Sequence, residues 1–309
     1  MRKIVMGGVL ICALLSSANV FASADGPKPL DGSYQIVLAH GLFGWGNDGD
    51  AGIIGVLQYW GGLDEYLKDQ GADVYVPTVT AMQSSAVRGA QLKEKMLLWM
   101  AARGYTKVNM IGHSQGGIDA RYLISNLGMS EKVAVLSTVA SPHYGSPQAD
   151  MIKEDVPDWA EPYVANFINK VIPLIWGPDN QQDILAALEL LTTAGMATFN
   201  QYTPDSPDTR YFSYGTRMKY FDLLQHPFLA SSLESICKGG EANGLGCAND
   251  GVIPLESVKW GTYMGEPDYP WYSSGVDHLQ SCNGQGMGYR SYDPEGFYLK
   301  IATNAMNNQ

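Results

Sequence analysis

A short stretch, Lys107 to Gly117, limits what this chain can become more than any other part of it. Val108-Asn109-Met110-Ile111 is a largely apolar run that ends at Gly112; Ser114 follows two residues on, and Gly116 and Gly117 close the segment. Beyond them, apolar residues at 118, 120, 123, 124 and 127 predict a helix over Ile118 to Leu127. The order is strand, sharp turn, helix, with Gly112-x-Ser114-x-Gly116 at the turn. A serine on such a turn sits in strained backbone, and its neighbours must lack side chains if strand and helix are to pass closely. The turn lifts the Ser114 hydroxyl above the sheet, and the helix N-terminus behind it favours developing negative charge. The pattern predicts Ser114 as a nucleophile.

The first residues have a different character. Arg2 and Lys3 make a positive start, Ile4 to Leu15 is apolar, and Ala22-Ser23-Ala24 supplies the small residues of a cleavage site. The run is too short for a comfortable membrane span. Residues 1–24 are therefore expected to be a signal peptide, and the protein to be secreted through the periplasm with no integral membrane segment. Their loss removes two positive charges and no acidic ones, so the formal net charge goes from −11 to −13. Such an acidic surface argues against nucleic acid as a partner. It also argues against docking by charge on anionic membranes, so any lipid contact should be hydrophobic.

Residues 25–309 suffice for one large α/β domain. Buried strands are expected at Tyr34 to Ala39, Asp73 to Val79, Lys107 onward, Val133 to Val139 and from Arg210. Helices are expected near Leu63 to Gln70 and over Ala86 to Arg103, with another at the C-terminus. This alternation implies a mostly parallel sheet with helices on both faces, and ligands in such sheets bind at the carboxyl ends of the strands. Export makes a disulfide reasonable. With Cys12 gone, Cys237–Cys247 is the first choice because it closes a short glycine-rich loop, and Cys247–Cys282 stays open as the alternative.

A serine needs a base, and the chain has five histidines. His113 adjoins Ser114 and would point away from it, as packing. His40, in the strand-end loop His40-Gly41, suits bracing that loop. His143 follows a strand end and could line the site, but precedes every acid of the expected order. His226 shows no orienting pattern and reads as surface. His278 is left, on a late loop, with Asp250 before it in Asn249-Asp250-Gly251. The order Ser114…Asp250…His278 is that of α/β-hydrolases. Asp222 is the rival acid; Asp277 adjoins His278 and is poorly placed to reach its Nδ1. For the oxyanion, the backbone N–H of Gln115 and that of Leu42, beside Gly41, are the expected donors.

These pieces together resemble the true lipases secreted by pseudomonads, vibrios and their relatives. The matching segments are Ile36 to Gly44, Val108 to Gly117, Ser141-Pro142-His143-Tyr144-Gly145-Ser146, Asn249-Asp250-Gly251 and His278-Leu279. The resemblance implies the α/β-hydrolase fold and the same five site residues: Ser114, Asp250, His278, Leu42 and Gln115. Two departures stand out. The family binds a structural calcium ion with an aspartate two residues after the catalytic histidine, and here that residue is Gln280, which argues against calcium. Asp222 and Gln280 are the only, weak, metal candidates, and no cofactor is needed for the chemistry. The family also has a cysteine where this chain has Glu256, so its disulfide is absent here. Many members need a dedicated membrane-anchored foldase and leave through the type II pathway, and the resemblance extends both to this chain as expectations.

Residues 150–200 are expected to form a helical lid. One helix begins at Asp158 to Pro162 and carries Tyr163, Phe167, Ile168, Val171 and Ile175; a second, near Gln182 to Thr192, carries Ile184, Leu185, Leu188 and Leu191. Two plain core helices are the alternative. The sequence thus leads to a secreted serine hydrolase cleaving triacylglycerol esters through an acyl-enzyme, at an oil–water interface. A short-chain esterase, phospholipase or polyester depolymerase uses the same chemistry; a non-catalytic lipid-binding protein of the same fold is the reading from another class.

Overall fold

The period of two along the first strand decides the layers. In β1 (Gln35–Ala39) every residue after Gln35 is buried. Ile36 and Leu38 pack with Leu63, Leu67, Ile111 and Tyr298, whereas Val37 and Ala39 pack with Leu92, Met96, Met110 and Leu123. A strand buried on both faces needs a layer on each side. The computed structural model describes residues 26–48, 58–155 and 182–309; the expected signal peptide and the helix expected from Asp158 lie outside the described residues.

In chain order the remaining elements are α1 (Leu63–Asp69), β2 (Val74–Tyr75), α2 (Ser85–Arg103), β3 (Val108–His113), α3 (Gln115–Asn126), β4 (Val133–Val139), α4 (Pro147–Asp155), α5 (Ile184–Leu191), α6 (Thr193–Tyr202), β5 (Arg210–Tyr214), α7 (Leu233–Ala242), β6 (Thr262–Tyr263), α8 (His278–Ser281) and α9 (Pro294–Asn307). The six strands form one sheet in the order β2-β1-β3-β4-β5-β6, and each neighbouring pair is parallel. Helices α1 and α9 contribute to the core on one face; α2 and α3 cover the other. Within the described residues, the strand and helix positions expected from the sequence are found, with one shortening.

That shortening has a physical reason. The apolar run Asp73 to Val79 pairs with β1 only at Val74 and Tyr75. Beyond them the backbone is held by side chains: Thr78 N donates to Asp48 Oδ2 (3.0 Å), Val79 N to His40 Nε2 (3.0 Å) and Thr80 N to Gln91 Oε1 (2.8 Å). These bonds satisfy the amides as a ladder would, while turning the chain across the end of β1.

The second helix expected near Gln182 is α5. The Asp183 carboxylate accepts from Ala186 N (3.0 Å) as its N-cap, and Thr192 Oγ1 caps α6 in the same way at Gly195 N (2.9 Å). Cys237 and Cys247 form the disulfide, the first choice of pairing, and tie α7 to the loop that carries Asp250. Cys282 is a buried free thiol, and burial pushes it up to about 12.

Candidate active site

The end of β3 supplies the first functional side chain. Ser114 has φ 53° and ψ −130°, a backbone region that costs a non-glycine residue about 1–3 kcal/mol. Its N–H donates to the Val139 carbonyl at the end of β4 (3.0 Å). The neighbouring glycines are required by close approach. A Cβ on Gly116 would run into the Ala39 carbonyl, and one on Gly41 would lie 2.6 Å from Ser114 Cβ. The loop after β1 is therefore pressed directly against the serine.

Ser114 Oγ lies 2.9 Å from His278 Nε2, and His278 Nδ1 lies 2.7 Å from Asp250 Oδ2. The Asp250 carboxylate is fully buried and held in place: Oδ1 accepts from the amides of Val252 (3.0 Å) and Ile253 (2.7 Å). The Asp250 carbonyl also accepts from His278 N (2.9 Å), so acid and base share backbone as well as side-chain contacts. Three residues far apart in sequence are joined in the order expected. Gln115 follows as the first, buried, residue of α3, and Leu42 lines the cavity beside Ser114.

Ser114 and His278 lie in a cavity of about 940 Å³. Its walls are apolar: Leu42, Phe43 and Met82 on the side of the β1 loop, Leu185 and Leu188 from α5, and Ile253 beyond Asp250. Ile184, Ala187 and Leu191 of α5 are buried, so α5 is at once core helix and cavity wall.

The other histidines fall where their hydrogen bonds need them. His40 does brace its loop, with Nε2 accepting from Val79 N and Nδ1 2.9 Å from the Gly41 carbonyl. Burial, aided by the Arg88 charge, lowers it to about 3. His113 points away from Ser114, as expected, but it links two parts of the site. Its Nδ1 is 2.6 Å from Tyr59 Oη, which itself accepts from Gly41 N (2.8 Å). On the other side its Nε2 is 2.8 Å from Ser281 Oγ, which donates to the His278 carbonyl (2.7 Å). Burial first, then the neighbouring His278, holds His113 well below the usual imidazole range.

Three expectations are corrected. His226 is not on the surface: it is fully buried, with Nδ1 3.0 Å from Asp277 Oδ2 and Nε2 3.0 Å from Ser274 Oγ. Its partners come from a loop about fifty residues later, so the local sequence shows no orienting pattern. His143 does not line the cavity; it is buried between Thr138 Oγ1 (2.9 Å) and Arg121, with its ring stacked on Trp260. Asp222 is no rival acid, because its Oδ1 accepts from Leu224 N and Gln225 N in its own turn.

The donor set at the expected metal position does not suit a hard cation. Gln280 Oε1 accepts from Ser291 Oγ (2.6 Å) and Asp277 N (3.3 Å), while Nε2 donates to the Gln225 carbonyl (2.5 Å). The Asp277 carboxylate is engaged by Gln280 N and His226. Calcium needs six to eight oxygens facing a common centre, and these face one another. Among the described residues, the one cluster of three side chains close enough to share an ion is Cys237, Glu241 and Cys247, whose sulfurs are already joined.

Sequence reasoning missed Tyr59, Ser281 and a buried ion pair. Arg88 Nε donates to Asp119 Oδ2 (2.7 Å), and Nη2 donates to the His40 carbonyl (2.7 Å). The pair fixes α2, α3 and the β1 loop together. The available signal was a charged residue on the apolar face of each helix.

Comparison with known proteins fits this geometry. The family model for the alpha/beta hydrolase fold matches residues 34–216. The chain belongs to the α/β-hydrolase family. A triacylglycerol lipase of Vibrio cholerae is 30% identical over 308 residues, covering 92% of this chain and 91% of that protein. This relation places the α/β-hydrolase described here, an enzyme, with the bacterial triacylglycerol lipases. A triacylglycerol lipase of Pseudarthrobacter phenanthrenivorans is 38% identical over 181 residues, and there the match spans 56% of this chain and about half (54%) of the relative. Among solved structures, the crystal structure of Staphylococcus hyicus lipase superposes with a TM-score of 0.68 at 20% identity, covering 93% of this chain and 98% of that one. That likeness is one of fold.

Proposed function

We propose that this α/β-hydrolase cleaves the carboxylic ester bonds of triacylglycerols through an acyl-enzyme. The observation that carries the reading is Ser114 Oγ at 2.9 Å from His278 Nε2 within an apolar cavity of about 940 Å³. As Ser114 Oγ attacks the ester carbonyl carbon, His278 Nε2 takes its proton. Asp250, bonded to Nδ1, holds the ring and stabilises the imidazolium. The carbonyl oxygen becomes an oxyanion and accepts from the N–H groups of Leu42 and Gln115. Collapse of the tetrahedral intermediate breaks the ester C–O bond; His278 gives its proton to the departing alcohol, leaving the acyl group on Ser114. Water then attacks the acyl carbon, its proton passing to His278, and the carboxylic acid leaves as Ser114 recovers its hydrogen.

The apolar walls suit acyl chains, with α5 as one side of the channel. The same reading includes export after removal of residues 1–24, a lid formed within 150–200, and no metal in the chemistry. A foldase partner rests on the family resemblance alone. Among the described residues no helix is long and apolar enough to cross a membrane.

The test is hydrolysis of a triglyceride series from soluble short-chain to emulsified long-chain. The expected result is a rise in rate once the substrate forms an interface, and loss of all turnover in Ser114→Ala. Smooth saturation on short chains with none on emulsions would make the protein an esterase; turnover surviving in Ser114→Ala would overturn the mechanism.

A further inference from the structure

Two loops beside the site expose apolar side chains to an unusual degree. On the segment after β5 these are Tyr220, Phe221, Leu224 and Phe228; on the segment before α8 they are Trp271 and Tyr272. Trp271 is 94% exposed and Leu224 88%. The two loops are one structure. Lys219 N donates to the Ser274 carbonyl (2.7 Å), Val276 N to the Arg217 carbonyl (2.8 Å), and Ser274 N to Gln225 Oε1 (2.6 Å). Two charged side chains within them are tied down locally: Lys219 Nζ donates to the Ser273 carbonyl and sits 4.7 Å from the centre of the Tyr269 ring, and Asp222 caps its own turn. What projects is an apolar crest.

The crest is continuous with the catalytic cavity. Leu229, next to Phe228, lines that cavity, and a Cβ on Gly251 would meet Leu229 and Met218, so the crest rests on the Asp250 loop. The Trp271 segment runs directly into Val276, Asp277 and His278. Leu279, 38% exposed, lies in the cavity wall next to His278 in sequence.

We propose that this crest is a docking surface that inserts into a neutral lipid surface and sets the cavity mouth against it. The proposal rests on the lipid-ester reading above and adds how the enzyme reaches an insoluble substrate. Three observations favour lipid over a protein partner. Side chains this exposed stand out singly, and a fluid surface receives them without matching pockets. Tryptophan and tyrosine favour the depth where apolar and polar phases meet. The chain carries a formal net charge of −11, so attraction to a lipid surface must come from apolar insertion rather than from charge.

The test measures adsorption of the protein lacking residues 1–24 to a triolein-in-water emulsion by depletion from the aqueous phase. It is run in the Ser114→Ala background, so it needs no turnover. Trp271→Ser and Leu224→Ser are each expected to weaken adsorption about tenfold, and together about a hundredfold. Leu98→Ser, at an exposed apolar residue of α2, is the control and should change nothing. With Ser114 intact, the crest variants should keep kcat/KM on a soluble short-chain ester while losing rate on the emulsion. Phe228→Ser with Tyr272→Ser is a second pair on the same crest. Adsorption unchanged in both pairs, or weakened equally by Leu98→Ser, would overturn the proposal. So would a crest that holds two copies of the chain together, with the variants monomeric by sedimentation and still adsorbing. Failure of the hydrolysis reading would show separately, as no turnover of the soluble ester by the protein with Ser114 intact.

Discussion

Among the described residues there are two serine–histidine–aspartate arrangements, and they are built for opposite ends. In one, Asp250, His278 and Ser114 are linked at 2.7 and 2.9 Å. In the other, Asp277, His226 and Ser274 are linked at 3.0 and 3.0 Å. The chemical groups are the same, and the aspartate meets Nδ1 in both. The hydroxyls differ in what surrounds them. Ser114 stands on a strained turn at an apolar cavity, whereas Ser274 is fully buried and its Oγ donates to Gln225 Oε1. A hydroxyl proton already given to an amide oxygen is not given to a base, and no substrate carbon can reach the oxygen. The lesson is that access and the direction of one proton separate a nucleophile from a structural knot. The second set also serves the first: Asp277 is the N-cap of α8, whose first residue is His278, and Gln280 completes the capping box.

The sharpest way to test the contrast is to delete each hydroxyl. Ser114→Ala is expected to lower kcat by about 10⁶, while Ser274→Ala should leave kcat within about tenfold of the parent, because it touches the site only through the cap. Comparable losses in the two variants would erase the distinction. The acids come next. Asp250→Asn should lower kcat by about 10⁴ with KM little changed, since the amide reverses the hydrogen bond that sets the His278 tautomer. Asp277→Ala should instead cost stability, about 2–4 kcal/mol in urea titrations, from a lost cap and a buried histidine left without its partner.

The three histidines without a carboxylate partner sharpen the comparison through pH. His40, His113 and His143 are all held below the normal imidazole value, chiefly by burial, His40 to about 3. Below about pH 6.5 the unfolded chain takes up protons that the folded one refuses, so stability rises with pH. Their contribution is complete above about pH 6.5 and is lost as pH falls below that, for His40 until about pH 3, at up to about 1.4 kcal/mol per pH unit for each histidine. Urea midpoints measured between pH 7 and 5 should fall, and His143→Gln should flatten the slope. The smallest effect belongs to metal. With Gln280 and Asp277 hydrogen-bonded to each other and Asp277 also to His226, a chelator should change activity by less than about twofold. Collapse of activity on chelation would mean that this knot opens to hold an ion.

Much of the site could be read directly because its signals are local or ordered along the chain. Gly112-x-Ser114-x-Gly116 between a strand and a helix is a short-range backbone demand, met by glycines where a Cβ would collide. The parallel sheet follows from apolar runs alternating with helices, and five histidines were few enough to leave His278 by elimination. What could not be read is everything that depends on two segments meeting. Nothing near His226 foretells Asp277 and Ser274; nothing near Arg88 foretells that its guanidinium spans Asp119 and the His40 carbonyl. The run after Tyr75 looks like strand because it is apolar, yet Asp48, His40 and Gln91 take its amides.

The sequence by itself therefore determined the fold class and the sharp turn at Ser114, which follow from hydrophobic period and backbone sterics within a few residues, while the order serine, aspartate, histidine came from elimination among five histidines. Only the tertiary structure decided which partners hold the buried His226, that Gln280 closes a knot of hydrogen bonds, and that two aromatic loops form one crest beside the cavity. Those outcomes depend on burial and on partners brought in from distant parts of the chain, and a side chain's chemistry is set by its neighbours in space rather than its neighbours in sequence.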